Sequence, residues 1–130
     1  MEKAHPVVAV LDDEPEMRKA LRRLLTCHGF LVEEFAGGDE FLASLGSHPL
    51  DCLLLDLQMP EMNGFEVLET LHSRQALLPV VVITAHDEPG TAERARALGI
   101  CAYLKKPVDR EILLPAIEAA ITHDKEGDKA

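Results

Sequence analysis

Cysteine is sparse in this chain and odd in number. Cys27, Cys52 and Cys101 each sit beside apolar residues and none forms a C-x-x-C pair. That excludes a disulfide framework and favours a reduced, cytoplasmic protein. Positive charge is also short: 13 Lys and Arg stand against 23 Asp and Glu, for a formal net charge of −10. With no Lys/Arg cluster to interrupt it, this balance argues against nucleic acid or an anionic membrane as a direct partner. Long apolar runs are missing too. The longest spans residues 76–83, is broken by Pro79, and is far too short to cross a bilayer. The first ten residues lack a basic segment followed by an apolar stretch, so no signal peptide is expected. There is no internal repeat and no linker. What remains is a chain of 130 residues, 47% hydrophobic, which excludes a disordered body and fits one domain burying ~65–70% of its unfolded surface.

Short apolar runs recur at residues 7–11, 31–35, 52–55, 80–83 and 101–104, and each is followed by a helical pattern. The third and fourth runs are continuously apolar, as in strands covered on both faces of a parallel sheet. Residues 15–28 carry Met17, Ala20, Leu21, Leu24 and Leu25 as one stripe, with Arg18, Lys19, Arg22 and Arg23 around it. Pro15 suits the first helical position and Gly29 the position just past the end. Further helices are expected at 39–45, 64–74, 91–98 and 110–122. The fourth has a thin stripe of Ala92, Ala95 and Leu98, and the fifth contains Pro115, where a kink is preferred to a break. Strict alternation with short loops predicts an α/β, doubly wound (βα)5 fold with a five-stranded parallel sheet in the flavodoxin-like order 2-1-3-4-5. The domain is expected at residues 1–122, with a charged, frayed tail at 123–130.

Polar residues gather where the strands end. The first strand runs into Asp12-Asp13-Glu14, the third ends at Asp56, the fourth ends at Thr84, and the fifth is followed by Lys105-Lys106-Pro107. In an open α/β sheet, ligands bind at the carboxyl ends of the strands beside the switch point, here between strands one and three. Asp12, Asp13 and Asp56 would share that crevice, with Thr84 and Lys106 on its far side. At ~4 Å and an effective dielectric near 20, each carboxylate pair costs about 4 kcal/mol. A hard divalent cation relieves such repulsion, and Mg²⁺ prefers one or two carboxylates, waters and a phosphate oxygen. Cation, Lys and Thr together suit a phosphoryl group carried on a carboxylate. Read in isolation, Asp12 or Asp13 would serve equally as a helix cap. Likewise, Thr84 would serve as a β-branched strand residue, Tyr103 as a core aromatic, and His86 as an exposed loop residue.

Four segments in order carry a resemblance: Asp12-Asp13-Glu14; Asp56-Leu57-Gln58-Met59-Pro60-Glu61-Met62-Asn63-Gly64; Ile83-Thr84-Ala85; and Tyr103-Leu104-Lys105-Lys106-Pro107. Over roughly residues 6–121 the chain resembles a response-regulator receiver domain of bacterial two-component signalling. The resemblance implies a phosphorylation-dependent switch. Asp56 would accept a phosphoryl group from the phosphohistidine of a sensor histidine kinase or phosphotransfer protein. The domain would promote its own phosphorylation and dephosphorylation, and so would not be an enzyme with a released product. It implies Mg²⁺ (or Mn²⁺) held by Asp13 directly, Asp12 mainly through water, Asp56, and the backbone carbonyl of Gln58. Thr84 would bond a phosphoryl oxygen and Lys106 would pair with the group, leaving Lys105 solvated. Tyr103 would be the switch aromatic, Gln58 and His86 would tune loss of the phosphoryl group, and the Lys106–Pro107 bond would be cis. The moving surface would be the fourth helix, fifth strand and fifth helix. It would act on a downstream protein target or an output domain, with a phospho-dependent dimer among the outcomes. Whether the chain stands alone or fronts a longer DNA-binding regulator is open. Two rivals fit less well. A haloacid-dehalogenase-like phosphohydrolase wants D-x-D after the first strand, whereas the candidate here reads Asp56-Leu57-Gln58 after the third. A flavodoxin-like cofactor binder wants a phosphate-cradling loop where Glu14-Pro15-Glu16 would repel one.

Overall fold

A computed structural model describes residues 5–129 apart from His48, Glu61 and His86, with side chains described as far as Thr122. The strands are β1 (Val7–Leu11), β2 (Leu31–Phe35), β3 (Cys52–Asp56), β4 (Val80–Thr84) and β5 (Ala102–Lys105). They form one sheet in the order β2-β1-β3-β4-β5, every neighbouring pair parallel. This is the fold expected from the alternation of apolar runs and helical stripes. The β-branched and leucine-rich runs of β3 and β4 are buried along their whole length, because helices cover both faces.

Alternate residues of the central strands feed two cores. On one face, Val8, Val10, Leu54 and Ile83 meet α1 (Pro15–Cys27) through Leu21 and Leu25. They also meet α5 (Arg110–Lys129) through Leu113 and Ile117. On the other face, Leu11, Leu53, Leu55 and Val82 meet α2 (Gly38–Ser44) through Phe41. α3 (Gly64–Ser73) adds Val67, Leu68 and Leu71 there, and α4 (Thr91–Ala97) adds Ala95. Each such fully buried Leu, Ile or Phe contributes about 1.5–3 kcal/mol relative to exposure. Helix α5 is continuous through Pro115. It runs to Lys129, past the end expected at residue 122; the side chains of residues 123–130, where fraying is expected, lie outside those described.

β3 and β4 each run one residue past their apolar runs and end at Asp56 and Thr84, the strand ends expected from the sequence. β5 starts at Ala102, one residue later than its run. Helix α4 buries a single residue, Ala95, and is tied to α3 by other means: the Arg94 guanidinium lies 3.9 Å over the Phe65 ring and 3.2 Å from a carboxylate oxygen of Glu69.

Candidate functional site

Three strand ends converge beside the switch point. Where β1 stops, the Asp12 backbone N–H still donates to the Phe35 carbonyl (3.2 Å), so the ladder holds this residue in the sheet. Its carboxylate turns inward and accepts the Glu14 backbone N–H (2.9 Å). Helix α1 takes Glu14 as its N-cap without a side-chain cap bond, so neither Asp12 nor Asp13 caps it. At the end of β3, Asp56 accepts the Gln58 backbone N–H (3.1 Å), which winds the following turn tightly against the carboxylate. That turn leads to α3, entered by a capping box between Asn63 and Glu66. Gly64 sits against the turn: a Cβ there would lie 2.6 Å from the Leu57 Cα and 2.8 Å from the Asp56 carbonyl oxygen. Asn63 and Gly64 thus start α3 directly on the backbone that presents Asp56.

Lys106 closes the far side. Its backbone N–H donates to the Thr84 carbonyl (2.8 Å), and its bond to Pro107 is cis. Its ammonium reaches Asp12 (3.0 Å), Asp56 (3.5 Å) and Glu14 (3.7 Å). Asp12 and Asp56 are 2% and 4% exposed and Thr84 is fully buried. Burial pushes the Asp56 carboxyl above the ordinary carboxylate range. The Gln58 N–H and Lys106 oppose that shift and Asp12 reinforces it. Burial would depress the Lys106 ammonium, but the carboxylates of Asp12 and Asp56 outweigh it and hold it charged above its usual range.

Asp12, Asp13 and Asp56 each offer a carboxylate oxygen, and these atoms lie within 4.8 Å of one another. Oxygens around an octahedral Mg²⁺ at 2.0–2.1 Å stand about 3–4 Å apart, so this donor set fits a hard divalent cation with small adjustment.

The other expected residues lie around this centre. The Gln58 side chain is exposed, and His86 falls outside the described residues. Tyr103 is half-buried: its ring packs on the core beneath α4, and its hydroxyl donates to Asp87 (3.0 Å). Burial first, and then the bond to Asp87, raise its phenol to about 12. Lys105 is largely exposed, yet its ammonium holds the second Asp87 oxygen (2.9 Å). Asp87, which joins these two side chains, carried no signal in the sequence beyond standing three residues after Thr84. The Cys52 thiol is buried and pushed up to about 12, which leaves it inert at neutral pH.

Fold and rim together define a flavodoxin-like α/β domain whose switch-point crevice is acidic and suited to a cation. The family model for the response regulator receiver domain matches residues 8–118, and the chain belongs to that family. Among curated relatives, the DNA-binding transcriptional regulator NtrC of Salmonella typhimurium is 38% identical over 120 residues, covering 92% of this chain and 26% of that protein. The transcriptional regulatory protein FixJ of Rhizobium meliloti is 34% identical over 116 residues, covering 89% of this chain and 57% of that protein. The crystal structure of FixJ-N superposes with a TM-score of 0.85 at 33% identity, covering 95% of this chain and 97% of that one. The chain therefore spans only part of the length of these curated relatives. Among the described residues, no helix is long and apolar enough to cross a membrane.

Proposed function

We propose that this receiver domain accepts a phosphoryl group on Asp56 from the phosphohistidine of a sensor histidine kinase or phosphotransfer protein, in a Mg²⁺-dependent (or Mn²⁺-dependent) reaction. The observation that carries the reading is the meeting of Asp12, Asp13 and Asp56 within 4.8 Å, with the Lys106 ammonium 3.5 Å from Asp56. A carboxylate oxygen of Asp56 attacks phosphorus. A P–O bond forms, the P–N bond breaks, and its electron pair stays on the imidazole nitrogen. An ionised carboxylate needs no base to become a nucleophile. Lys106 and the Thr84 hydroxyl would meet the oxygens of the transferred group, where fixed donors are most effective. Asp13, Asp12 through water, Asp56 and the Gln58 carbonyl would hold the cation. When bound, it offsets the charge of the carboxylates and of the phosphoryl oxygens. Gln58 and His86 would govern the approach of the water that later removes the group.

The product acts by shape. A phosphoryl group brings about −1.5 to −2 charge and three acceptor oxygens. Turning a 1:99 equilibrium into 99:1 takes about 5.5 kcal/mol. One charge-assisted bond from Thr84 supplies ~1.5–3 kcal/mol of that, and Lys106 and the cation supply the rest. The readout is the α4-β5-α5 face, with Tyr103 as its aromatic. It is offered in the cytoplasm to a protein target, an output domain or a second phosphorylated copy. Incubation with acetyl phosphate or beryllofluoride, with and without Mg²⁺, tests this by intact mass or NMR. We expect a metal-dependent modification that Asp56→Asn abolishes. Modification of that variant, or none of the wild type, would end the reading.

A further inference from the structure

We infer that Arg18 is a positioning residue for the cation-binding carboxylates, itself held by Glu34. The inference rests on the proposed cation site. Arg18 lies in the first turns of α1, its backbone N–H on the Glu14 carbonyl (3.1 Å). Its side chain is 16% exposed and folds back over the turn. There its Nη1 donates to the backbone carbonyl of Asp12 at 2.7 Å, a short, charge-assisted bond. Its Nε stands 3.5 Å from one Glu34 oxygen, and Arg22 holds the other oxygen at 2.8 Å. Glu34, on β2, is thereby an anchor in the sheet for the guanidinium that grips the end of β1.

The gripped atom explains the role. The Asp12 carbonyl belongs to the same rigid peptide unit as the Asp13 N–H. Fixing that carbonyl therefore fixes the direction in which Asp13 leaves the strand. The Asp12 carboxylate has separate restraints, the Glu14 N–H and the Lys106 ammonium. Among the described residues no hydrogen bond or ion pair holds the Asp13 carboxylate, so its aim depends on the backbone behind it. Glu34 also neutralises the guanidinium, so that a cation is not simply repelled by it.

This gives a test with opposite signs. Were Arg18 only a nearby positive charge, removing it would tighten cation binding. As a positioning residue, its removal loosens it. Mg²⁺ affinity is measured by NMR titration on the full chain for the wild type, Arg18→Met, Arg18→Lys, Glu34→Gln and Arg22→Met. We expect Arg18→Met to weaken Mg²⁺ binding about tenfold, in line with loss of an outer-shell partner, with partial rescue in Arg18→Lys. Glu34→Gln should fall between wild type and Arg18→Met. Arg22→Met, which does not reach Asp12, should stay within about twofold of wild type, as expected for a surface pair. At saturating Mg²⁺, modification of Arg18→Met by acetyl phosphate should return to near the wild-type rate, which a collapsed site would not allow. Unchanged or tighter binding in Arg18→Met overturns the inference. If that variant does not fold, unchanged affinity in Glu34→Gln overturns it. A wild type that takes up no Mg²⁺ overturns the cation site itself and this inference with it.

Discussion

Gly64→Ala is the most direct probe of how the fold presents Asp56. Gly64 is the first residue of α3, and its N–H donates to the Leu57 carbonyl at 3.1 Å. An added Cβ would stand 2.6 Å from the Leu57 Cα, 2.7 Å from its Cδ2 and 2.8 Å from the Asp56 carbonyl oxygen. Two of those three atoms are backbone, so no side chain can simply turn away. The gap to Leu57 Cα must open by roughly 0.8 Å, from 2.6 Å to the 3.4 Å of ordinary contact. Overpacking of this kind costs about 1–3 kcal/mol. Alanine's helical advantage over glycine, up to ~1 kcal/mol in a helix interior and smaller at a first position, offsets part of it. The expected net loss is about 1–2 kcal/mol, read as a urea midpoint roughly 0.5–1 M lower at unchanged slope. Gly37→Ser is the control. Gly37 is the N-cap of α2, a Cβ there meets nothing within 4 Å, and serine is a preferred cap. It should stay within about 0.5 kcal/mol of wild type. If Gly64→Ala is as stable as wild type, or Gly37→Ser is as damaged as Gly64→Ala, the close approach of α3 to the Asp56 turn is not the constraint described.

Asp56→Asn should stabilise the protein at neutral pH. The carboxyl titrates above its ordinary 3.8 in the folded state, mainly through burial, so the folded state binds that proton more tightly than the unfolded chain. Stability is therefore lost as pH rises from that ordinary value through the raised one, and stays lost above it. The advantage of asparagine should be full at pH 7 and shrink on acidification; urea melts showing an advantage that grows in acid would refute this. Asp87→Asn should be visible at Tyr103, the single tyrosine of a chain without tryptophan. Its phenol, about 12 in the wild type, should move toward 10.0 in an absorbance titration without reaching it, since burial is the larger cause. An unchanged midpoint would mean that Asp87 does not hold the hydroxyl in solution. Arg94→Met should loosen α4 by about 0.5–1 kcal/mol, the worth of an exposed cation–π contact and ion pair. Hydrogen exchange should rise in α4 and not in β3 or β4, and a uniform rise would count against a local clamp.

Legibility in the sequence followed the reach of each signal. β1 and β2 coincide with their apolar runs, whereas β3 and β4 outrun theirs, because their last residues are the polar Asp56 and Thr84. Hydrophobic pattern ends where the strand's chemistry begins. The convergence of Asp12, Asp13, Asp56 and Lys106 could be read because topology alone brings the carboxyl ends of adjacent parallel strands together. Arg18 could not: at helical spacing it looks like one of several cations flanking an apolar stripe, and only the fold turns it back onto Asp12. The Asp87 bridge between Tyr103 and Lys105 depends on how the loop after β4 is laid across β5, which no period encodes. The far end of α5 was likewise silent, since the apolar stripe stops at Ile121.

The charges at the rim argue for the order of events. Asp12, Asp13 and Asp56 with Lys106 give three negative charges against one positive, a formal −2; Glu14, two-thirds exposed, is left largely to water. Lys106 at 3.0 and 3.5 Å from Asp12 and Asp56 interacts with each by about 5 kcal/mol at an effective dielectric of 20. That more than offsets the ~4 kcal/mol repulsion of one carboxylate pair at about 4 Å. The ammonium therefore makes the buried pair tolerable, but it leaves Asp13 uncompensated. One divalent cation brings the formal sum to zero. Converting the Asp56 carboxylate to an aspartyl phosphate then adds about one further negative charge. With the cation the site ends near −1; without it, near −3. Chelating the metal should therefore suppress phosphorylation by acetyl phosphate at least tenfold, the effect of about 1.4 kcal/mol on the barrier. A rate that survives chelation would mean that Lys106 alone carries the charge, and that the three-aspartate rim is not built around an ion.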